Sequence, residues 1–295
     1  MKKTVFTGMA TALVTPMTQT DIDYDAFGRL IDFQIENGIN ALVANGTTGE
    51  NATIEPHDQT AIIRYTVERA QGRVPVIAGT GTNNTAHVLD NTKRACDTGA
   101  DAVLVVTPYY NKATQNGLIA HFTAVADIST LPVIVYNVPG RTGCNIQPKT
   151  LEILADHPNI VAIKEASGNM AQFMDMMRLC GDKIAIYSGE DALTAPMMSM
   201  GCKGAISVLS NVVPKRAVAM TDAALAGNFE EAKRLQLSML PLIDALFSQV
   251  NPIPAKAAVS AMGFGQEILR MPLTPMEEPM RSKLFEEMRK LGVSV

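Results

Sequence analysis

Eight short apolar runs, each followed by a segment with helical spacing, constrain the fold of this chain more than any other feature. The runs are rich in β-branched residues and nearly continuous, which is typical of parallel strands buried on both faces. They are Val5–Val14, Ala41–Ala44, Val74–Ala78, Ala102–Val106, Val133–Tyr136, Ile160–Ile163, Ile184–Tyr187 and Ala205–Leu209. Because parallel barrels close at eight strand–helix units, the pattern predicts an α/β protein with a parallel (β/α)8 TIM barrel.

The chain after Gly227 shows helical patterns only. Three helices are predicted there, over Glu230–Leu246, Pro254–Met262 and Pro275–Leu291. We therefore divide the chain into a catalytic barrel over residues 1–225 and a C-terminal helical segment over residues 226–295. A doubly wound open sheet is the alternative, but Gly79-Thr80-Gly81 lacks the third glycine of a dinucleotide-binding turn.

Composition argues against several classes of function. The chain has 295 residues and is 47% hydrophobic, which is enough to bury a core and excludes a disordered protein. Its 25 basic and 29 acidic residues give a net charge of −4 with no basic stretch, so nucleic acid and anionic membranes are not expected partners. The four cysteines lack C-x-x-C spacing, which favours reduced thiols and a cytoplasmic protein. Neither a signal peptide nor a membrane span is predicted.

Polar and ionisable residues follow the predicted strands, and barrel enzymes place their active sites at these carboxyl ends. Lys164 comes directly after the sixth run and is expected at the mouth of the barrel. Burial of a lysine lowers its pKa and frees the amine as a nucleophile, as Schiff-base formation with a carbonyl substrate requires. The alternative is a lysine that pairs with Glu165 or with another carboxylate of the barrel.

Three further groups follow other strands. Tyr136 ends the fifth run, where a phenol could give and take protons, although it could also be a core tyrosine with a satisfied hydroxyl. Arg141 could bind a substrate carboxylate, or it could be a solvated loop charge. The turn Gly46-Thr47-Thr48-Gly49 could hold a carboxylate with its amides and hydroxyls, or it could be an ordinary loop.

The sequence does not favour metal chemistry. The histidines are His57, His87, His121 and His157, and no two of them have the spacing of metal ligands. They also fall away from the ends of the predicted strands. A metal-dependent aldolase or hydrolase is therefore disfavoured, and no metal site is predicted.

Taken together, the strand-end motifs resemble the pyruvate-dependent class I aldolases, in the dihydrodipicolinate synthase branch of a family that includes N-acetylneuraminate lyase. The resemblance covers essentially the whole chain. Its motifs are Gly8–Pro16, Gly46–Glu50, Thr107–Asn111, Tyr136–Thr142, Ile163–Gly168, Asn251–Lys256 and Leu269–Pro275. It implies condensation of pyruvate with L-aspartate-4-semialdehyde to 4-hydroxy-tetrahydrodipicolinate, the first committed step of the diaminopimelate route to lysine.

The resemblance gives the candidate catalytic residues their roles. Lys164 is similar to the lysine that condenses with the keto group of pyruvate. Tyr136 is similar to the proton donor and acceptor at the Schiff base. Thr47 and Tyr110 are similar to the relay partners of that tyrosine, and the resemblance implies that Tyr110 reaches in from a neighbouring subunit.

The other candidates are similar to substrate-binding residues of the family. Thr48 resembles the residue that holds the pyruvate carboxylate, and Arg141 resembles the one that attracts the semialdehyde carboxylate. Gly189 and Ile206 match backbone positions that line the site. The resemblance implies no metal and no cofactor beyond the covalent pyruvate–Lys164 Schiff base, and a homotetramer built from two tight dimers.

The choice of branch depends on Thr47 and Arg141. Sialic-acid lyases tend to have Gly-Ser-Thr-Gly-Glu in the turn and to lack the arginine after the fifth strand. A short acidic aldehyde needs that arginine, whereas a sugar needs hydroxyl partners. The alternative left open is a related aldolase or lyase for a keto-sugar acid, such as N-acetylneuraminate or 2-keto-3-deoxygluconate.

Inhibition by lysine is expected to be weak or absent. Family members that lysine inhibits bind it at an interface near the positions of Asn51, Ala52, Asn83 and Tyr109. The sensitive pattern has two histidines and a glutamate, where this chain has Pro56, Gln59 and His87. A lysine ammonium would lose its anionic partner at His87.

Overall fold

Eight parallel strands close into a barrel in the computed structural model, which describes residues 2–295. The strands are β1 (Gly8–Ala12), β2 (Ala41–Ala44), β3 (Val76–Gly79), β4 (Ala102–Val106), β5 (Val133–Asn137), β6 (Ile160–Glu165), β7 (Ala185–Ser188) and β8 (Gly204–Ser207). Each strand pairs with its neighbours in sequence, and β8 pairs with β1. Every predicted run overlaps one strand, so the predicted TIM barrel is confirmed.

Helices follow each strand and continue after the barrel. The barrel helices are α1 (Tyr24–Glu36), α2 (Pro56–Ala70), α3 (Thr85–Cys96), α4 (Gln115–Ile128), α5 (Pro139–Thr142), α6 (Pro148–Leu154), α7 (Met170–Cys180), α8 (Thr194–Ser199) and α9 (Pro214–Leu225). The later helices are α10 (Phe229–Leu246), α11 (Ile253–Ala261) and α12 (Met280–Lys290). Short polar side chains cap several of them, because they satisfy free amides of the first turn. These caps are Asp23, Asn84, Thr114, Asn169 and Asn228.

Four strands continue past the carboxyl ends of their predicted apolar runs, namely β3, β5, β6 and β7. β5 includes Asn137, and β6 includes Lys164 and Glu165. The register pairs Tyr136 with Lys164 and Asn137 with Glu165. Because the backbone ladder does not depend on side-chain polarity, it continues where the apolar run stops. The candidate lysine therefore lies on a rigid strand and not on a loop.

Apolar side chains form two layers that explain the continuous runs. The inner layer fills the barrel, and Phe6 and Tyr187 stack within it with ring centroids 4.2 Å apart. The hydroxyl of Tyr187 donates to the carbonyl of Phe6 at 2.8 Å. The outer layer lies between strands and helices and includes Phe27, Phe122 and Phe173. Only the carboxyl ends of the strands are left for polar chemistry.

The C-terminal helices pack on the helices of the barrel. α10 contacts α8 and α9, and α12 contacts α10 and α11. Met239, Leu284 and Met288 are buried in the same apolar layer as the barrel helices. α12 begins later than predicted, at Met280. In the segment that precedes this helix, the amide of Met276 donates to Oε1 of Glu267 at 2.9 Å. The division of the chain after residue 225 stays a prediction.

Within residues 2–295, no helix combines the length and the apolar character needed to cross a bilayer.

Candidate active site

A cavity of about 290 Å³ opens at the carboxyl ends of the strands. Six of the eight residues predicted for the site line it, from β5, β6 and the segments that follow β2, β5 and β7. They are Thr47, Thr48, Tyr136, Arg141, Lys164 and Gly189. The closed barrel brings them together because all its strands point the same way.

Lys164 lies inside the barrel, between tyrosines on both neighbouring strands. The register places it opposite Tyr136 of β5 and Tyr187 of β7. Its side chain lines the cavity, but only 5% of the residue is exposed. Burial lowers the pKa of Lys164 to about 8; Asp191 opposes this shift and Arg141 adds to it. A substantial fraction of the amine is therefore uncharged near neutral pH and able to act as a nucleophile.

The predicted alternative, a pair between Lys164 and Glu165, is wrong. Successive residues of a strand point to opposite faces, so Glu165 faces the helices while Lys164 faces the cavity. The carboxylate of Glu165 accepts from Nδ2 of Asn137 and from the amide of Ser167, each at 2.9 Å. Among residues 2–295, no ion pair within 4.0 Å involves Lys164.

Tyr136 contacts the lysine directly. Nζ of Lys164 lies 4.3 Å from the centroid of the Tyr136 ring. Burial raises the pKa of Tyr136 to about 12, so the phenol is protonated at neutral pH. Its hydroxyl makes no hydrogen bond to another group within residues 2–295. The hydroxyl is therefore free to bond to a ligand in the cavity, which disfavours the alternative of a satisfied core tyrosine.

The turn after β2 is tightly folded. The amide of Gly49 donates to the carbonyl of Gly46 at 3.0 Å, and the amide of Glu50 donates to the carbonyl of Thr47 at 3.1 Å. Thr48 is 2% exposed, and its Oγ1 accepts from Nδ2 of Asn251 at 3.0 Å. An Oγ1 that accepts from an amide still has its own proton to donate to a carboxylate.

Arg141 lies on α5 at the mouth of the cavity. The residue is exposed, but its guanidinium is fixed by a bond from NH2 to the carbonyl of Asn251 at 2.9 Å. Asn251 therefore contacts both Thr48 and Arg141, the two predicted carboxylate-binding residues. This anchoring disfavours a freely solvated loop charge and leaves the remaining N–H groups of the fork for a ligand.

Position 189 requires glycine, because the side chain of Lys164 fills the space next to it. A Cβ at this position would lie 2.7 Å from Cβ of Ala166 and 2.8 Å from Cε of Lys164. Such distances are well inside van der Waals contact, so any side chain at Gly189 would displace the lysine.

Tyr110 and Ile206 do not line the cavity within one chain. Tyr110 is 87% exposed, with φ at 74°, and its ring faces solvent. Ile206 is 1% exposed and packs inside the barrel, and the cavity residue that follows β8 is Val208. The roles expected of Tyr110 and Ile206 stay predictions.

Sequence reasoning assigned no role to several residues of the cavity. Asn251 and Phe247 reach it from the connection between α10 and α11. Glu190 follows Gly189 in the same lining. The neighbouring Asp191 is buried and accepts from the amide of Val208 at 3.0 Å, which ties the end of β7 to the end of β8. The position of Glu190 soon after a predicted strand could have identified it as a residue of the site. No pattern in the sequence places Phe247 near the mouth of the barrel.

A second cavity, of about 330 Å³, lies beside the first. Its lining includes most of the positions that the resemblance connects with lysine binding, namely Asn51, Ala52, Pro56, Gln59, His87 and Tyr109. Asn83 is not in the lining, whereas Asp90 and Arg94 are. Within residues 2–295, no three His, Cys, Asp or Glu side chains are grouped so that they could hold a metal ion.

Comparisons with known proteins place the chain in one family. The family model described as "Dihydrodipicolinate synthetase family" matches residues 5–291. The chain is 50% identical to a 4-hydroxy-tetrahydrodipicolinate synthase of Alkaliphilus oremlandii, over 98% of this chain and 100% of that protein. It is 47% identical to the enzyme of that name from Geobacter sulfurreducens, over 97% and 99% of the two chains.

Solved structures give the same result. The dihydrodipicolinate synthase of Aquifex aeolicus superposes with a TM-score of 0.96 at 40% identity, over 98% of this chain and 99% of that one. A chloride-inhibited dihydrodipicolinate synthase of Acinetobacter baumannii, solved with pyruvate, also gives a TM-score of 0.96 at 40% identity, over 98% and 100% of the chains.

Proposed function

The chain belongs to the dihydrodipicolinate synthetase family, and we propose that it condenses pyruvate with L-aspartate-4-semialdehyde through a Schiff base on Lys164. The product is 4-hydroxy-tetrahydrodipicolinate, and the enzyme is a lyase of the class I type. Relatives that are about half identical over their full length carry the synthase name, which confirms the synthase prediction over the keto-sugar-acid alternative. The observation that carries the mechanism is the buried amine of Lys164, which lines the cavity and lies 4.3 Å from the centroid of the Tyr136 ring.

The first half of the proposed reaction activates pyruvate. The uncharged amine of Lys164 adds to the keto carbon, and loss of water gives the Schiff base. A proton then leaves the methyl group to give an enamine, and it returns to the Tyr136 oxygen that protonated the leaving water. The protonated phenol of Tyr136, whose ring lies against the lysine, supplies the proton that the leaving water needs.

The second half joins the two substrates. The enamine carbon attacks the aldehyde carbon of the semialdehyde, and the aldehyde oxygen takes up the proton of the Tyr136 phenol, which recovers one from the semialdehyde nitrogen as the ring closes. The amino group of the former semialdehyde then attacks the Schiff-base carbon. The ring closes and the amine of Lys164 leaves, so the lysine is regenerated and no redox step occurs.

Two carboxylates must be held in the cavity. Thr48 binds the pyruvate carboxylate with its hydroxyl and the turn amides, and Arg141 attracts the semialdehyde carboxylate with its free N–H groups. The anchoring of both residues by Asn251 supports this assignment. We assign no metal and no dissociable cofactor to the reaction, and we expect activity to survive a chelator.

Tyr110 and Thr47 complete the proton relay in this proposal, and Tyr110 does so from a second subunit. Its exposure of 87% on one chain supports a position at a subunit interface. The active unit is then a dimer, and a homotetramer is two such dimers. We expect the enzyme to act in the cytoplasm on small-molecule substrates, with no nucleic acid or membrane partner.

Reduction with borohydride tests the proposal. Enzyme incubated with pyruvate should gain the mass of one reduced pyruvate adduct, located on Lys164 by peptide mapping, and Lys164→Ala should gain none. The same enzyme should turn over pyruvate with aspartate semialdehyde and should not cleave N-acetylneuraminate. An adduct on a different lysine, or none, would refute the mechanism.

A mixing experiment tests the shared site. Lys164→Ala and Tyr110→Phe should each be nearly inactive alone. If Tyr110 serves the partner's site, refolding the two variants together should restore part of the activity, because one site of each mixed dimer then has both native residues. No recovery from two inactive variants would mean that Tyr110 acts within its own chain, and an active Tyr110→Phe variant would mean that it has no role.

A further inference from the structure

A buried ion pair joins the turn Gly46–Glu50 to α11. Nζ of Lys256 lies 2.7 Å from Oε1 of Glu50, and the two side chains are 1% and 0% exposed. The same ammonium donates to the carbonyl of Thr15 at 2.6 Å and to the carbonyl of Ile268 at 3.0 Å. Nζ of Lys256 is therefore held by two hydrogen bonds to backbone carbonyls and by one ion pair.

The turn that receives this pair has an unusual backbone. Asn45, which precedes it, and Glu50, which ends it, have φ angles of 57° and 62°, in the left-handed region that non-glycine residues rarely adopt. The second carboxylate oxygen of Glu50 accepts from the amide of Arg270 at 3.0 Å. Backbone in a sparsely populated region persists only where the surrounding contacts hold it. For Glu50 these contacts come from the C-terminal segment, about 200 residues further along the chain, whereas Nδ2 of Asn45 donates to the carbonyl of Gly79 at 2.8 Å.

A purely stabilising role does not explain the pair well. The cost of removing two charges from water offsets most of their attraction, so buried ion pairs often add little stability. Burial lowers the pKa of Lys256 below its ordinary value, and Glu50 opposes this shift. The location is more informative, since Glu50 lies two residues after Thr48 in the turn that lines the cavity.

We infer that Lys256 is a positioning residue for substrate: its pair with Glu50 holds the turn so that Thr47 and Thr48 face Lys164. The inference rests on the proposed function, in which Thr48 binds the pyruvate carboxylate. Lys256 itself touches no substrate. When the pair is removed, the turn relaxes towards ordinary backbone angles and its hydroxyls move away from the pyruvate carboxylate. The C-terminal segment thereby takes part in pyruvate binding.

The test removes both charges at once. Single variants Lys256→Met and Glu50→Gln each leave a buried charge without its partner and are expected to lower the melting temperature strongly. The double variant Glu50→Gln/Lys256→Met leaves no unpaired buried charge at this pair and should fold. Borohydride trapping at increasing pyruvate concentrations gives the half-saturating concentration, which should rise about tenfold to a hundredfold in the double variant. The KM for the semialdehyde should change much less.

Two controls separate positioning from general destabilisation. Lys2→Met removes a partly buried lysine that also donates to backbone carbonyls, among them Ala155 and Ile160, at the other end of the barrel. It should lower stability without moving the pyruvate concentration dependence. In a Thr48→Ala background, removal of the pair should cause little further loss, because both changes act on one contact.

The outcomes are distinct. A folded double variant with unchanged pyruvate dependence, or losses that add fully in the Thr48→Ala background, would overturn the inference and leave the proposed function standing. Loss of pyruvate affinity in Lys2→Met as well would overturn it too, since the effect would then be general. If the wild-type enzyme forms no adduct on Lys164, the proposed function and the inference fall together.

Discussion

Nζ of Lys164 lies 4.3 Å from the centre of the Tyr136 ring, and the two residues are register partners on adjacent strands. A ring face stabilises a nearby ammonium by about 0.5–2 kcal/mol, which favours the charged lysine. Burial acts in the opposite direction and dominates, because the pKa of Lys164 is lowered to about 8. The pair therefore combines an amine that loses its proton near neutral pH with a phenol that keeps its own.

The rate of pyruvate adduct formation should follow the ionisation of Lys164. A lowered lysine pKa means that the reactive, uncharged form increases as pH rises. With a pKa of about 8, about one-tenth of the amine is uncharged at pH 7, against about 0.03% for an unperturbed lysine. We expect the rate to rise between pH 6 and 8 and to level off above pH 8, when samples at each pH are quenched into borohydride at one fixed pH.

The Arg141→Met variant is the control for this profile. The charge of Arg141 helps to lower the pKa of Lys164, so its removal should move the midpoint to higher pH. A wild-type midpoint close to that of free lysine would contradict the assignment.

Tyr136→Phe should lower kcat about 10²–10⁴-fold, the usual contribution of a positioned general acid–base group. Stability should change little, because no protein group within residues 2–295 bonds to that hydroxyl. Tyr187→Phe is the matched control on the other neighbour of Lys164. Its hydroxyl donates to the Phe6 carbonyl, so this variant should lose about 1 kcal/mol of unfolding free energy and keep its activity. Steady-state kinetics and thermal melts of both variants decide the matter, and equal losses of kcat would rule out the role of Tyr136.

Gly189→Ala should abolish adduct formation or slow it strongly, because the new methyl group would lie only 2.8 Å from Cε of Lys164 and would displace that side chain. Overpacking of this kind costs about 1–3 kcal/mol. Here it would be relieved by moving the side chain of Lys164 out of its catalytic position. Gly140→Ala is the control: Gly140 also lines the cavity, but a Cβ there meets nothing within 4 Å. Normal trapping of pyruvate by Gly189→Ala would show that the lysine has more freedom than this packing allows.

Lysine at millimolar concentration should inhibit the enzyme weakly or not at all. The second cavity has Pro56, Gln59 and His87 where the sensitive pattern has two histidines and a glutamate. His87→Glu supplies a carboxylate for the ammonium and should increase sensitivity to lysine. Activity titrated with lysine checks both statements, and near-complete inhibition of the wild type would point to Asp90, which shares the cavity, as the anionic partner.

The sequence by itself determined the barrel and the central members of the site. Strands buried on both faces need apolar side chains at nearly every position, so the eight strands are visible as eight continuous runs. A lysine directly after such a run must lie where the barrel opens. For the same reason, the sequence alone assigns Lys164 and Tyr136 to neighbouring strand ends, and the register of β5 and β6 agrees with this.

Only the tertiary structure decided which groups contact each other. Because side chains alternate between the two faces of β6, Glu165 points away from the cavity that Lys164 enters. The register of β5 and β6 brings Tyr136 against Lys164. Asn251 and Lys256 reach the turn after β2 from about 200 residues away, and Tyr110 stays outside the cavity of its own chain. Local patterns report which faces are buried, because burial acts on each residue separately. Contacts between distant segments depend on the register and packing of the whole barrel, which no local pattern records.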